Sequence, residues 1–156
     1  MPIWLHALSL FSVLAYAVLG RVFLAFSDFI MRSLGSVESG AEAMRAINQE
    51  VFRTVFMALF LGMVPVSLAL IVGAWANEAP LAIVIAGLTY LVGCFVVTAA
   101  GNVPLNNALA AFDAGLVTGT RYWTETYLPR WTALNTMRTL ACLVASAALL
   151  HAVTSH

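Results

Sequence analysis

Arg138 stands in an apolar stretch of this 156-residue chain, seven positions after Trp131. That is about 10 Å along a helix axis. A charge at such depth is expensive and marks a functional position by default. Two readings of it stay open. The guanidinium can snorkel back to the interface on its aliphatic stem. Alternatively it faces the interior, because Trp131, Asn135 and Arg138 follow i, i+4, i+7 spacing and share one helix face. A buried guanidinium needs acceptors or an anionic partner. Asp28, Glu50 and Asp113 are the protein candidates, and a bound anionic ligand is the alternative.

Asn102, Asn106 and Asn107 cluster where the third apolar stretch ends. Thr98, Asn102 and Asn106 are four apart, with Pro104 expected to break or bend the helix. One Asn is explained by helix capping; three around a proline suggest a polar site. Asn48 could join them or sit on solvated helix surface. The aromatic run Arg121-Tyr122-Trp123, Tyr127 and Trp131 reads as an interfacial belt or as the wall of a pocket for a flat molecule. Arg21 and Asp28, seven apart, are read as structural. His6 and His151 sit near the same ends of the first and fourth stretches, so a haem or metal between them is a minor alternative. Asn, Arg, Trp and Tyr bind and polarise aromatic or anionic molecules. They supply no strong nucleophile, and no metal-ligand, nucleophile-elbow or phosphate-loop motif is present. The expectation is no metal and no cofactor.

The elements that must hold these residues follow from composition. The chain is 62% hydrophobic and 9% charged, with mean hydropathy +0.95. Ordinary soluble domains carry about a quarter charged residues. A soluble domain and a disordered chain are both excluded. All seven basic residues are Arg, and the net charge of +0 offers no basic footprint for nucleic acid. Four stretches are long enough to span a bilayer, at about residues 4–26, 52–75, 81–100 and 131–153. The expected fold is an all-α integral membrane four-helix bundle, one transmembrane domain over 1–156. A short interfacial helix carrying Leu105, Leu109 and Phe112 is expected between spans three and four.

Smaller expectations come with it. The first span lacks a basic start and is too long for a cleaved signal peptide. Ser36 or Ser39 is expected to cap a helix that starts near Gly40 and runs on into the second span. Ser27-Asp28 could begin a turn, Gly115 and Gly119 should loosen the third loop, and His156 is terminal. Cys94 and Cys142 are read as two buried thiols at different depths, not a disulfide. Arg32, Arg45, Arg121 and Arg130 occupy the first and third loops, with Arg53 at the rim, while the second loop and both ends have none. That asymmetry puts the arginine side in the cytoplasm and both termini outside, in a bacterial inner membrane. Small residues such as Ala15, Gly20 and Ala145 would permit a homo-oligomer.

The segment from Thr98 through Asn102-Val-Pro-Leu-Asn106-Asn107, followed by Trp131-Thr-Ala-Leu-Asn135-Thr-Met-Arg138, resembles a small four-helix membrane family that contains the fungal anthrone oxygenases. Phe26-Ser-Asp-Phe-Ile-Met31 and Ala43-Met44 leading to Ile47-Asn48 fit as well. The resemblance covers most of the chain. It implies conversion of a polycyclic anthrone to an anthraquinone with molecular oxygen, without an obvious cofactor. In that reading Arg138 supplies charge and Asn102, Asn106 and Asn135 supply oriented donors for an oxyanion. Trp131, Trp123 and Tyr122 stack on the rings, with Asn107 and Asn48 beside them. The general base stays open among Asp28, Glu50 and Asp113. The rival is a non-catalytic membrane module binding a lipid, quinone or partner helix.

Overall fold

The computed structural model describes residues 1–112 and 117–155; Asp113, Gly115 and His156, named above, lie outside the described residues. The described residues contain helices and no strand. Four helices are long and apolar enough to cross a membrane: α1 (Ile3–Gly35), α3 (Val55–Ala76), α4 (Leu81–Ala111) and α5 (Val117–Thr154). Between the first two lies α2 (Gly40–Glu50). Such helices satisfy all their backbone groups internally, as a lipid-facing segment must.

Three of the crossing helices run past the spans expected from hydropathy, each through widened π-helical turns. In α1 the turn is Phe26–Ile30, so Ser27-Asp28 does not end the helix. In α4 the turns are Leu91–Val96 and Thr98–Asn102. The helix continues through Pro104, and Val103–Ala111, the short helix expected after span three, is joined to it without a break. In α5 the turn is Tyr122–Tyr127. Pro104 and Pro129 each follow a wide turn by two residues. A proline ring collides with the carbonyl four residues back. For both prolines that carbonyl lies inside the widened turn, which gives the ring room. The three asparagines therefore cap nothing.

One expectation fails between α2 and α3. The single helix from Gly40 into the second span is interrupted by a 3-10 turn, Val51–Arg53, and by extended Thr54 (φ −107°, ψ 157°). Thr54 then caps α3, its Oγ1 accepting from the Met57 amide at 3.3 Å. This break lets α2 leave the axis of α3. Ser39 stands before α2 but makes no side-chain cap.

Helix α1 packs along α5, which also packs on α4, while α3 closes the bundle against α1 and α4. Two apolar cores result. One fills the bundle with Leu5, Leu19, Met63, Leu70, Tyr90 and Leu149. The other, at the arginine-bearing end, joins Met31, Met44, Leu109, Trp123, Tyr127 and Trp131 beneath α2. Cys94 and Cys142 meet in the first core with Sγ atoms 3.7 Å apart, both free thiols. The expectation of different depths is wrong because α4 and α5 run antiparallel. Counted from the end shared by Leu81 and Thr154, each cysteine lies about three and a half turns in.

Candidate functional site

The wide turns of α1 and α4 border a cavity of about 500 Å³. That is within the size range of small-molecule sites. Its apolar walls come from Phe23 and Phe26 of α1, Met44 and Ile47 of α2, and Phe56, Met57 and Phe60 of α3. Its polar groups come from Asn48 of α2, Thr98, Asn102 and Asn106 of α4, and Asn135 and Arg138 of α5, beside Trp131.

Arg138 is 5% exposed. It does not snorkel. Its Nη2 donates to Asn135 Oδ1 at 2.7 Å and its Nη1 to Thr98 Oγ1 at 3.2 Å. Its Cζ lies 4.4 Å from the Phe23 ring centroid and 5.2 Å from that of Trp131. Its Nε is buried without an acceptor. Of the expected carboxylates, Asp113 lies outside the described residues, and neither Asp28 nor Glu50 partners it. Asp28 lies 3.8 Å from Arg32 on the exposed surface, and Glu50 sits on the cavity rim. Among the described residues, no carboxylate is paired with Arg138. The cation is held by neutral oxygens and ring faces. Such a site retains unspent attraction for an anion, because low-dielectric surroundings weaken screening.

The amide of Asn135 is fixed from α1. Its Nδ2 donates to the Phe23 carbonyl at 2.6 Å and to Ser27 Oγ at 2.7 Å. With both donor hydrogens spent there, Oδ1 must face Arg138. Ser27 lies in the wide turn of α1, which is how a residue of a distant helix reaches this amide.

Asn102 is 1% exposed; its Nδ2 donates to the Trp131 carbonyl at 3.3 Å, and its Oδ1 has no partner. Asn106 Oδ1 accepts from Tyr127 Oη at 2.7 Å and from Trp131 Nε1 at 3.0 Å. Asn48 Nδ2 donates to Tyr127 Oη at 3.2 Å. Tyr127 is thus a hub that ties α2, α4 and α5 together. Each neutral hydrogen bond contributes about 1 kcal/mol net, and a buried partner left unpaired costs a further 1–3 kcal/mol. Tyr127→Phe is therefore expected to lower stability by about 1–3 kcal/mol, read by thermal unfolding in detergent. An unchanged midpoint would mean the hub is not formed.

The cavity thus gathers Asn48, Asn102, Asn106, Trp131, Asn135 and Arg138. It does not gather three residues expected there. Asn107 is exposed on α4 and is not a lining residue. Tyr122 stacks on Phe112 at 4.7 Å and Trp123 on Tyr127 at 5.3 Å. Both stand behind Tyr127, outside the cavity wall. The physical reason is the wide turn Tyr122–Tyr127, which changes which side chains face inward. Sequence reasoning missed Phe23 and Ser27 as contacts of the site and gave Tyr127 no hydrogen-bonding role. A phenylalanine in an apolar span carries no signal that it will stack on a cation. His6 is half-buried, and His151 is exposed with Nδ1 3.4 Å from Ser155 Oγ. Among the described residues, no group of three or more His, Cys, Asp or Glu could hold a metal ion.

A family model described as Anthrone oxygenase matches residues 49–148. The matched segment contains Asn102, Asn106, Trp131, Asn135 and Arg138; Phe23, Ser27 and Asn48 precede it. No curated protein and no solved structure shows significant similarity to the chain.

Proposed function

The chain belongs to the anthrone oxygenase family, and from that premise we propose that it is a membrane-embedded oxygenase acting on a flat, lipophilic, anthrone-like phenolic compound. The observation that supports this reading is Arg138: a buried cation, unpaired with any carboxylate among the described residues, in a cavity walled by aromatic rings. An anthrone is acidic at its central methylene because the anion is an aromatic phenolate. Stabilising that anion is what a preorganised cation and oriented amides do in a water-poor site. The anion can then pass an electron to molecular oxygen directly. Insertion of one oxygen atom at the methylene carbon gives the ketone, and the other leaves as water with the two methylene hydrogens. No external reductant is required.

In this reading Arg138 holds the developing oxyanion, and Asn135 orients the guanidinium. The free Oδ1 of Asn102 accepts a ligand hydroxyl. Phe23 and Trp131 lie against the ring faces. Glu50, on the rim, is the one carboxylate lining the cavity among the described residues and the candidate base. The arginine-bearing end faces the cytoplasm and both termini face outward, following the arginine distribution. A bacterial inner membrane fits that arrangement.

The test is oxygen uptake by detergent-purified protein with 1,8-dihydroxyanthrone, against heat-denatured protein as the autoxidation control. One oxygen molecule consumed per quinone formed, at a rate well above the control, supports the reading. A rate equal to the control overturns it. Saturable ligand binding without oxygen uptake would instead favour a non-catalytic binding module.

A further inference from the structure

The cavity is not sealed on the side of the bilayer. Three of its apolar lining residues beyond the 3-10 turn, Leu61, Ala99 and Val103, are exposed, Leu61 by 51% and Val103 by 38%. Leu61 lies six residues past the start of α3, about 9 Å along its axis. That depth is within the hydrocarbon layer of a crossing helix. Ala99 and Val103 are one turn apart and share a face of α4. The packing between helices explains the gap. Helix α3 packs on α4 along Leu81–Val96, whereas Thr98–Ala111 lies against α5 and α2. The second wide turn of α4, Thr98–Asn102, begins where the packing on α3 stops. Its one amide side chain, Asn102, lines the cavity, and its small residues Ala99 and Ala100 are exposed.

The water side is less inviting to an anion. Glu50 stands on the rim there, beside the 3-10 turn and Thr54. A carboxylate repels a like charge passing it.

We propose that the cavity takes its ligand from the bilayer: a membrane-dissolved, flat lipophilic weak acid enters sideways between α3 and α4, over a threshold of Leu61, Ala99 and Val103. This rests on the cavity being a ligand site, as the proposed function has it. The neutral acid crosses the apolar threshold, and its anion is held at Arg138. Leu61 and Val103 then control the rate of exchange and the width of ligand admitted without contributing to the affinity.

Stopped-flow fluorescence with 9-anthracenecarboxylate and the full chain in phosphatidylcholine vesicles tests the route. This probe is a three-ring aromatic acid with no methylene to oxidise. Leu61→Trp and Val103→Trp are each expected to slow association and dissociation about tenfold, with Kd unchanged within twofold. Leu68→Trp, exposed on α3 but outside the cavity, should leave both rates unchanged. At fixed aqueous probe concentration, the native association rate should rise with the amount of probe in the membrane. Unchanged rates in both threshold variants, with binding still lost in Arg138→Met, would overturn the bilayer route and leave the site intact. Slowed exchange accompanied by a changed oligomer size would make this seam a contact between copies and also overturn the route. No binding to the native protein would overturn the site itself, and the route with it.

Discussion

Arg138→Met is expected to abolish binding of a flat aromatic anion while leaving the unliganded protein about as heat-stable as the native chain. The two halves have one cause. Burying a cation without a carboxylate partner costs desolvation energy that neutral acceptors repay only in part. Replacing a buried ion pair by apolar side chains of similar volume is often neutral or stabilising, by about 1–4 kcal/mol, and a cation with no carboxylate carries the desolvation cost without the pair's Coulombic gain. Against that stand the two hydrogen bonds to Asn135 and Thr98, and the buried Asn135 Oδ1 left without a donor, which costs about 1–3 kcal/mol. Each bond contributes about 0.6 kcal/mol in a membrane protein, by the average of measured cases. The contacts with Phe23 and Trp131 survive as packing, because methionine fills irregular space beside rings. The net change is therefore small. Ligand binding has no such compensation. Removing a buried charge from an anion site costs about 2–5 kcal/mol, or roughly 30- to 5,000-fold in affinity.

Two measurements on the same variant check this: thermal unfolding in detergent, and equilibrium binding of 9-anthracenecarboxylate. A variant that unfolds well below the native protein yet still binds the probe would show Arg138 to be structural. Asn135→Ala provides the contrast. It strips Arg138 of its closest acceptor and removes the amide's bonds to Ser27 and the Phe23 carbonyl, which keep Thr136 Oγ1 and the Phe26 amide as donors. It is expected to lower stability by about 2–3 kcal/mol, whereas Arg138→Met is not.

What the sequence revealed of this site, and what it hid, follows from helix regularity. Trp131, Asn135 and Arg138 were readable as one face because α5 is a regular helix over that stretch. The 3.6-residue period then fixes which side chains align. Asn102 and Asn106 were readable as polar residues out of place, but their helix was expected to break or bend at Pro104. The wide turn before the proline has no signature that composition or spacing would reveal. The same kind of turn hid Tyr122 and Trp123. An aromatic run at an interface looks alike whether it lines a cavity or stands behind its wall. Ser27 and Phe23 were hidden for another reason. They contact residues more than a hundred positions away, and periodicity within one helix carries no information about its neighbour. The four crossing helices were legible throughout, because a hydrophobic stretch of sufficient length has few other uses. The break at Val51–Thr54 was not, since the apolar spacing of Met44, Ile47, Val51 and Val55 continues straight through it.

That break gives α2 its own place, and Gly40 fixes it there. A Cβ on Gly40 would lie 1.8 Å from the Leu34 carbonyl oxygen, 2.8 Å from its carbon and 3.3 Å from the Trp123 ring. Gly40 has no positive φ, so the requirement is space and not a left-handed backbone. The obstructing atoms are backbone, at the end of α1, and cannot rotate away as a side chain would. Gly40→Ala must therefore open the turn between α1 and α2. Opening it pulls Ala41 and Met44 off Met31, Leu109 and Trp123, the core beneath α2. A loss of about 3 kcal/mol or more is expected, at the upper end for overpacking. Binding should weaken too, by about tenfold or more, although Gly40 lines no part of the cavity. Helix α2 carries Met44, Ile47 and Asn48 to the cavity wall, and Asn48 reaches Tyr127 only from the closed position. Thermal unfolding and tryptic cleavage at Arg45 would read the effect, with cleavage faster in the variant. Gly35→Ala, five residues earlier, separates crowding from any general intolerance of alanine. Its Cβ would meet only the end of the Leu128 side chain, at 3.1 Å. A leucine tip can shift by a few tenths of an ångström, and replacing a helical glycine lowers the entropy of the unfolded chain. Gly35→Ala should change stability by less than about 1 kcal/mol. Equal stability for both variants would mean that α2 is not held against Leu34 as the structure has it.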